Sequence, residues 1–248
     1  MGDAEVSRLR TVAAGAFAVA ALLAGCGVDG TAVKASGDSG TPTSTGTSTP
    51  GSTTPGSSPD TTTAPDGAFR IAKSDNVRVV VTVVEDMACP ACKAFEAAYG
   101  SVLDEISDLP GAAVDYRIIS FLDRMSDDKY SSRAANASYC VWNRSGDAAQ
   151  KQDVWLKFQT AAFRDQPREG GPGLPDSKLA DLAASAGAPD AASCITTGKY
   201  KADVASNSAK TLADPSFEGT PTILVNGEKV DLRSAARLLD MVEELLPK

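Results

Sequence analysis

Hydrophobic positions along the chain fall into two alternating periodicities. Val77 to Val84 reads Val-Arg-Val-Val-Val-Thr-Val-Val, and so β-branched a run predicts a strand covered on both faces. A shorter strand is expected before it, near Ala68 to Ala72. After the long strand, Phe95, Tyr99, Val102, Leu103, Ile106 and Leu109 share one stripe of a helix. Pro110-Gly111 ends that helix. Val114, Tyr116 and Ile118 then alternate, predicting a strand through about Phe121. From Asp123 to Asp214 the spacing becomes helical. Tyr130, Ala134, Ala137 and Val141 lie on one face, Val154, Phe158 and Ala162 on a second, and Leu179, Leu182 and Ala186 on a third. A fourth helix is expected from Tyr200 to Leu212, and the Gly/Pro-rich stretch Pro167 to Pro175 breaks the set. Strand character returns at Pro221 to Val225. Asn226-Gly227 predicts a type I′ hairpin turn, because both central positions need positive φ. Lys229 to Leu232 is the return arm. A last helix, Ser234 to Leu246, carries Leu238, Leu239, Val242 and Leu245 on one face. The order of strand, helix, strand, helical block, two strands and helix predicts an α/β fold.

The first 66 residues show neither periodicity. Arg8 and Arg10 precede an apolar stretch, Thr11 to Leu23, which ends in Leu23-Ala24-Gly25-Cys26. A short basic region, a short apolar run and small residues read as a secretory signal. The run is too short for a comfortable membrane span. The Leu-Ala-Gly-Cys ending resembles the bacterial lipobox, which implies that residues 1–26 are a lipoprotein signal segment whose last residue, Cys26, is diacylated and then becomes the new N-terminus. The other reading is an ordinary signal or tilted anchor with an incidental Cys. From Gly37 to Pro65 the sequence is almost wholly Ser, Thr, Gly, Pro, Asp and Ala, a composition that buries no core. Residues 27–66 are therefore expected to be a tether, and residues 67–248 one folded domain.

Composition narrows the chemistry. The 248 residues carry a formal charge of −8 and no basic cluster, which argues against nucleic acid as a partner. There is no His, so Ser-His, Cys-His and imidazole-metal chemistry are excluded. Of the five Cys, Cys26 belongs to targeting. An even number of Cys in an exported chain favours disulfides.

Cys89-Pro90-Ala91-Cys92 sits where the buried strand passes into a helix. Unpaired N–H groups and the dipole of the first turn stabilise a thiolate at Cys89. The spacing lets Cys92 reach Cys89 within one turn, and Pro90 has no N–H to lose there. A zinc half-site would need a second Cys pair or His, so neither metal nor cofactor is expected. An inert structural disulfide is the remaining alternative for this motif.

Gly219-Thr220-Pro221-Thr222 places a Pro at the start of a strand, which requires an outward-facing amide or a cis bond. With the Cys-Pro-Ala-Cys motif, the helical insertion and Val225-Asn226-Gly227, it makes the chain from about Phe69 to Leu246 resemble the DsbA-like thiol oxidoreductases. These have a thioredoxin-like fold with an inserted α-helical domain, here about residues 123–213. The resemblance implies that Pro221 is cis and packs against the Cys pair. It implies that the backbone of Thr220 docks substrate as an added strand. Many family members have His where this chain has Ala91, and its absence points to a milder oxidant. Many also bury a Glu six positions before the first Cys, where this chain has Val83. Asp86 matches a recurrent family acid, but a surface-turn role fits it equally.

Cys140 and Cys194 both fall in the helical block. A structural bridge closing a loop of about 54 residues stabilises by roughly 4 kcal/mol on the chain-entropy view. A second redox pair or two free thiols are the alternatives. Some actinobacterial-type relatives look similar in carrying a second disulfide here.

The function expected is an extracytoplasmic, lipid-anchored oxidase that passes the Cys89–Cys92 disulfide to exported protein thiols. By family resemblance it is reoxidised by a quinone-linked membrane partner, DsbB-like or vitamin K epoxide reductase-like. A reductase, as in cytochrome maturation, is the main alternative. A dedicated isomerase of this kind usually has an N-terminal dimerisation domain, which residues 31–66 cannot build, and monomer is the default. A redox-inactive binding lipoprotein would not need Cys89, Cys92 and Pro221 together.

Overall fold

A computed structural model describes residues 64, 67–144, 146–232 and 234–247. Cys26, the signal segment and nearly all of the tether lie outside these residues. The sheet has the strand order β1 (Phe69–Ile71), β3 (Ala112–Ile118), β2 (Val79–Glu85), β4 (Thr222–Val225) and β5 (Glu228–Lys229). β2 runs parallel to β3, and the other neighbours are antiparallel. β2 is central, and Val81 and Val83 have no exposed surface, as its unbroken apolar run requires. At the edge, Arg70 of β1 lies opposite Asp115 of β3. Its Nε and Nη2 donate to the two carboxylate oxygens, each at 2.7 Å, a two-pronged pairing that fixes the short strand's register.

Helix α1 (Pro90–Asp108) crosses from β2 to β3 and packs against β3 and the last helix, α7 (Ala235–Leu245). Between β3 and β4 the chain inserts α2 (Tyr130–Arg144), α3 (Ala148–Arg164), α4 (Asp176–Ala186), α5 (Ala192–Thr197) and α6 (Lys201–Leu212). This is a thioredoxin-like α/β fold with a helical insertion. Trp155 of α3 is fully buried and stacks near Phe69, Tyr116 and Trp142. Its indole N–H donates to Ser138 Oγ at 2.8 Å, so the polar edge of a core aromatic is satisfied. Asn136 of α2 donates to Ile195 O and accepts from Tyr200 N, which ties α2 to the α5–α6 segment.

Some boundaries differ from the sequence reading. β2 begins at Val79 and β3 ends at Ile118. The return arm of the hairpin is only Glu228–Lys229, followed by one more backbone bond to β4, from Val230 N to Ile223 O at 3.0 Å. α5 was not expected, since six residues are too few to display a helical period. Asn226 and Gly227 have φ of +50° and +86°, the left-handed pair that the turn demands.

Candidate active site

Cys89 is the N-cap of α1, and Pro90 occupies the first helical position. The helix thus starts where backbone N–H groups lack intrahelical partners. Both Cys89 and Cys92 are free thiols. Cys89 is 6% exposed and Cys92 is 0% exposed. Phe163 of α3 forms one buried cluster with both cysteines, with Leu122 alongside. The Thr220–Pro221 peptide is cis, and Cys89 Sγ lies 3.4 Å from Thr220 O.

The two thiols are driven apart electrostatically. The Cys89 pKa is lowered to about 6, chiefly because the Cys92 thiol donates to its sulfur. Burial opposes this, and the Thr220 hydroxyl and the N–H groups of Cys92 and Ala91 reinforce it. Thr220 Oγ1 is buried with no hydrogen-bond partner while the Cys89 thiol donates to the Thr220 carbonyl, so it is available to a thiolate at Cys89. The Cys92 thiol is pushed far up, first by burial, then by its hydrogen bond to Cys89 and by the nearby Glu85. The arrangement is one thiolate at the surface and one neutral thiol behind it, the division of labour that thiol–disulfide exchange uses.

Three groups support this turn that sequence reasoning missed or undervalued. Asp86 is fully buried, not a surface-turn residue. Its Oδ1 accepts from Ala88 N at 2.8 Å, and its Oδ2 from Phe121 N at 2.7 Å and Leu122 N at 2.8 Å. Ser131 Oγ donates to it as well. Asp86 therefore joins the turn before Cys89 to the chain leaving β3 and to α2. Gln166, just past α3, donates from Nε2 to Met87 O and Cys89 O, both at 3.0 Å. No local sequence signal marks Gln166.

The third is a pair of acids. Position 83 is Val, but Glu85 at the end of β2 is fully buried and meets Glu96 of α1 carboxyl to carboxyl. Gln159 Nε2 donates to Glu85 Oε2 at 2.9 Å. Burial pushes both acids up, with Glu85 well above the usual range and Glu96 to about 7. Glu85 holds the shared proton and Glu96 ionises first. Glu96 is four residues beyond Cys92, on the same helix face; that spacing was the signal available in the sequence.

Within the insertion, Cys140 of α2 and Cys194 of α5 are joined, with S–S 1.97 Å and Cα–Cα 5.8 Å. Both are buried.

A mixed sheet with β2 at its centre, a helix opening on Cys-X-X-Cys and a facing cis-Pro define the class of thiol–disulfide oxidoreductases with a thioredoxin-like fold. The sequence model described as Thioredoxin matches residues 74–244, and the chain belongs to that family. It is similar to the crystal structure of reduced DsbA from Mycobacterium tuberculosis, with 31% identity over 72% of this chain and 91% of that one, and a TM-score of 0.62. It is similar also to the reduced disulfide bond oxidoreductase DsbG of the same organism, with 31% identity, 76% and 92% coverage and a TM-score of 0.64. Among curated proteins it resembles the serine/threonine-protein kinase PknE of M. tuberculosis, 34% identical over 166 residues. That likeness takes in 64% of this chain but spans only 28% of the kinase's length, so it carries no kinase activity across.

Proposed function

We propose that the protein is an extracytoplasmic disulfide donor. Its oxidised Cys89–Cys92 pair accepts a substrate thiolate at Cys89 Sγ, giving a mixed disulfide. A second substrate thiol resolves that bond, leaving the substrate oxidised and the Cys pair reduced. The observation that carries this reading is the unequal pair: Cys89 near pKa 6, Cys92 held neutral. A stabilised Cys89 thiolate favours the reduced protein and therefore makes its disulfide the stronger oxidant. Ala91, lacking the imidazole seen in many relatives, moderates that poise.

The Thr220 backbone beside Cys89 docks an extended substrate segment as an added strand, with Pro221 closing off the Cys pair. Cys140–Cys194 is a structural bridge within the helical insertion. Residues 1–26 direct export, Cys26 bears lipid, and residues 27–66 tether residues 67–248 to the outer side of the cell membrane, where the monomer meets exported thiols. No described helix is long and apolar enough to cross a membrane. A quinone-linked membrane oxidase returns the pair to the disulfide.

The test is the equilibrium reduction potential of Cys89/Cys92 against glutathione. A value of about −120 to −180 mV supports the donor, and one near about −270 mV overturns it in favour of a reductase. Mass-spectrometric detection of diacylglyceryl on Cys26 tests the anchor; an unmodified N-terminal fragment overturns it.

A further inference from the structure

Tyr130, the first residue of α2, is a core aromatic whose polar end has no use within the fold. It is 1% exposed, yet its hydroxyl has no hydrogen-bond partner in the protein. The other tyrosine of α2 shows the ordinary arrangement: Tyr139 donates to Gly67 O and accepts from Asn207 Nδ2. A buried hydroxyl left unpaired opposes folding, so such a group in a native structure calls for a partner or a task. Burial pushes the Tyr130 phenol up, so it stays a neutral O–H donor.

The ring is fastened in place. Gly173 lies against its root, where a Cβ would stand 2.3 Å from Tyr130 Cβ and Cγ. The Arg133 guanidinium sits 5.7 Å from the ring centre. Gly173 N donates to the Asp128 carboxylate, and Leu174 O accepts from Arg133 Nη1 at 2.8 Å. These bonds hold the glycine-rich loop down on the ring.

Tyr130 borders a crevice together with Ala88, Leu122, Met125, Pro167 and Gly170. Ala88 immediately precedes Cys89, and Leu122 packs with the Cys pair. The crevice therefore lies beside the nucleophile, on the side of the helical insertion. Met125, 48% exposed, is an apolar residue of its lip. The internal room is about 10 Å³, enough for one oxygen-sized group and too little for a large side chain. A fixed O–H donor in a space of that size suits a carbonyl oxygen. An extended chain rises about 3.3 Å per residue. With a substrate cysteine at Cys89, the carbonyls of its next one or two residues come level with Ala88 and Leu122.

We infer that the Tyr130 hydroxyl donates to a main-chain carbonyl of the substrate segment crossing Ala88 and Leu122, a second docking point beside the Thr220 backbone. This rests on the reading of Cys89 as the atom that meets substrate. Thr220 holds the chain on the β4 side of Cys89 and Tyr130 holds it on the insertion side. Every residue supplies a carbonyl, so the contact favours extended polypeptide over small thiols without reading sequence. The donor is already fixed by Gly173 and Arg133, so little freedom is lost when the chain arrives.

The test is a single turnover of the oxidised full chain with two reductants, a peptide whose two cysteines are flanked only by Ala, and dithiothreitol. In each, two thiols become a disulfide while Cys89–Cys92 becomes two thiols. The Ala flanks leave main-chain carbonyls as the peptide's acceptors. Tyr130→Phe removes one oxygen and nothing else. It should lower the ratio of the peptide rate constant to the dithiothreitol rate constant by about fivefold. Its melting temperature should equal or exceed that of the unaltered protein, because no bond within the fold is lost. The Cys89 thiolate should still titrate near about 6. An unchanged ratio overturns the inference. So does an equal fall in both rate constants, which would place the effect on Cys89 itself. A melting temperature several degrees lower overturns it too, by showing that the hydroxyl is bonded within the fold. If the unaltered protein oxidises neither reductant, the redox reading is what fails.

Discussion

The two cysteine pairs differ in what surrounds them far more than in what they are. Cys140 and Cys194 come together from α2 and α5, 54 residues apart, in a buried apolar setting. Their bond closes a long loop. Cys89 and Cys92 share one helical turn, so a bond between them constrains almost no chain. Instead they meet a helix N-terminus, a cis Thr220–Pro221, a thiol-to-thiolate hydrogen bond and a buried carboxyl pair. A disulfide's contribution to stability grows with the loop it closes. Its reactivity grows with thiolate character and access. The first pair is built for the former and the second for the latter.

The largest effect that would sharpen this contrast is at Cys89. Cys89→Ser should abolish disulfide transfer to a reduced substrate protein. Given an oxidised substrate protein, Cys92→Ser should retain attack by Cys89 on the substrate's disulfide and accumulate the mixed disulfide, the displaced substrate sulfur leaving as a thiolate, because nothing inside the protein resolves it. Non-reducing gels with mass spectrometry distinguish the two. Equal trapping by both variants would break the assignment of Cys89 as the nucleophile.

The second effect is on stability. Replacing both Cys140 and Cys194 by Ala should lower unfolding free energy by about 4 kcal/mol on the loop-entropy account. The Cys89/Cys92 potential should not move. Denaturant titration of the otherwise unaltered chain checks the first and glutathione equilibration the second. A shifted potential would mean that the pairs communicate and that the bridge is not merely structural.

A smaller loss is expected at Asp86. Asp86→Ala leaves the N–H groups of Ala88, Phe121 and Leu122 without their acceptor. Unsatisfied buried donors cost about 1–3 kcal/mol each when water cannot reach them, and partial rehydration of the loop should hold the total to about 3 kcal/mol. Thermal melting measures it. A melting point within error of the unaltered protein would show that the hub does not fasten the turn.

The sequence showed one half of this picture better than the other. Local spacing was enough for β2, α1, the Asn226-Gly227 turn and the Cys89–Cys92 motif, since each is determined within a few residues of itself. Thr220 and Pro221 were legible because a Pro at a strand start has few structural explanations. Asp86 was ambiguous because its partners Phe121 and Ser131 lie 35 and 45 residues away. Gln159 and Gln166 were silent for the same reason: an amide on a helix gives no hint that it reaches a carboxyl or a carbonyl on another element. Glu85 lies just past the apolar run Val77 to Val84 and carries no local signal of its burial. Only the fold shows that Glu96 meets it. The electrostatic setting of the buried thiol depends on groups brought together from β2, α1 and α3, and periodicity carries no record of that.

The smallest effect tests the surface thiol itself. Thr220→Val keeps the shape and the backbone carbonyl next to Cys89 Sγ but removes the hydroxyl that supports the thiolate. The Cys92 thiol and the helix N–H groups remain, so the change is partial: the Cys89 pKa should rise from about 6 toward about 7. The sign follows from which form the hydroxyl stabilises. It donates to the charged sulfur, so without it the proton is held to higher pH, and the thiolate fraction between pH 6 and 7 falls. Alkylation by iodoacetamide at limiting reagent should then reach its plateau at a higher pH than in the unaltered protein. The same reasoning makes the variant's disulfide a slightly weaker oxidant, since its reduced form has lost a stabilising contact. An alkylation profile that does not move would assign the low pKa to Cys92 and the helix alone, and would leave Thr220 a role through its backbone only.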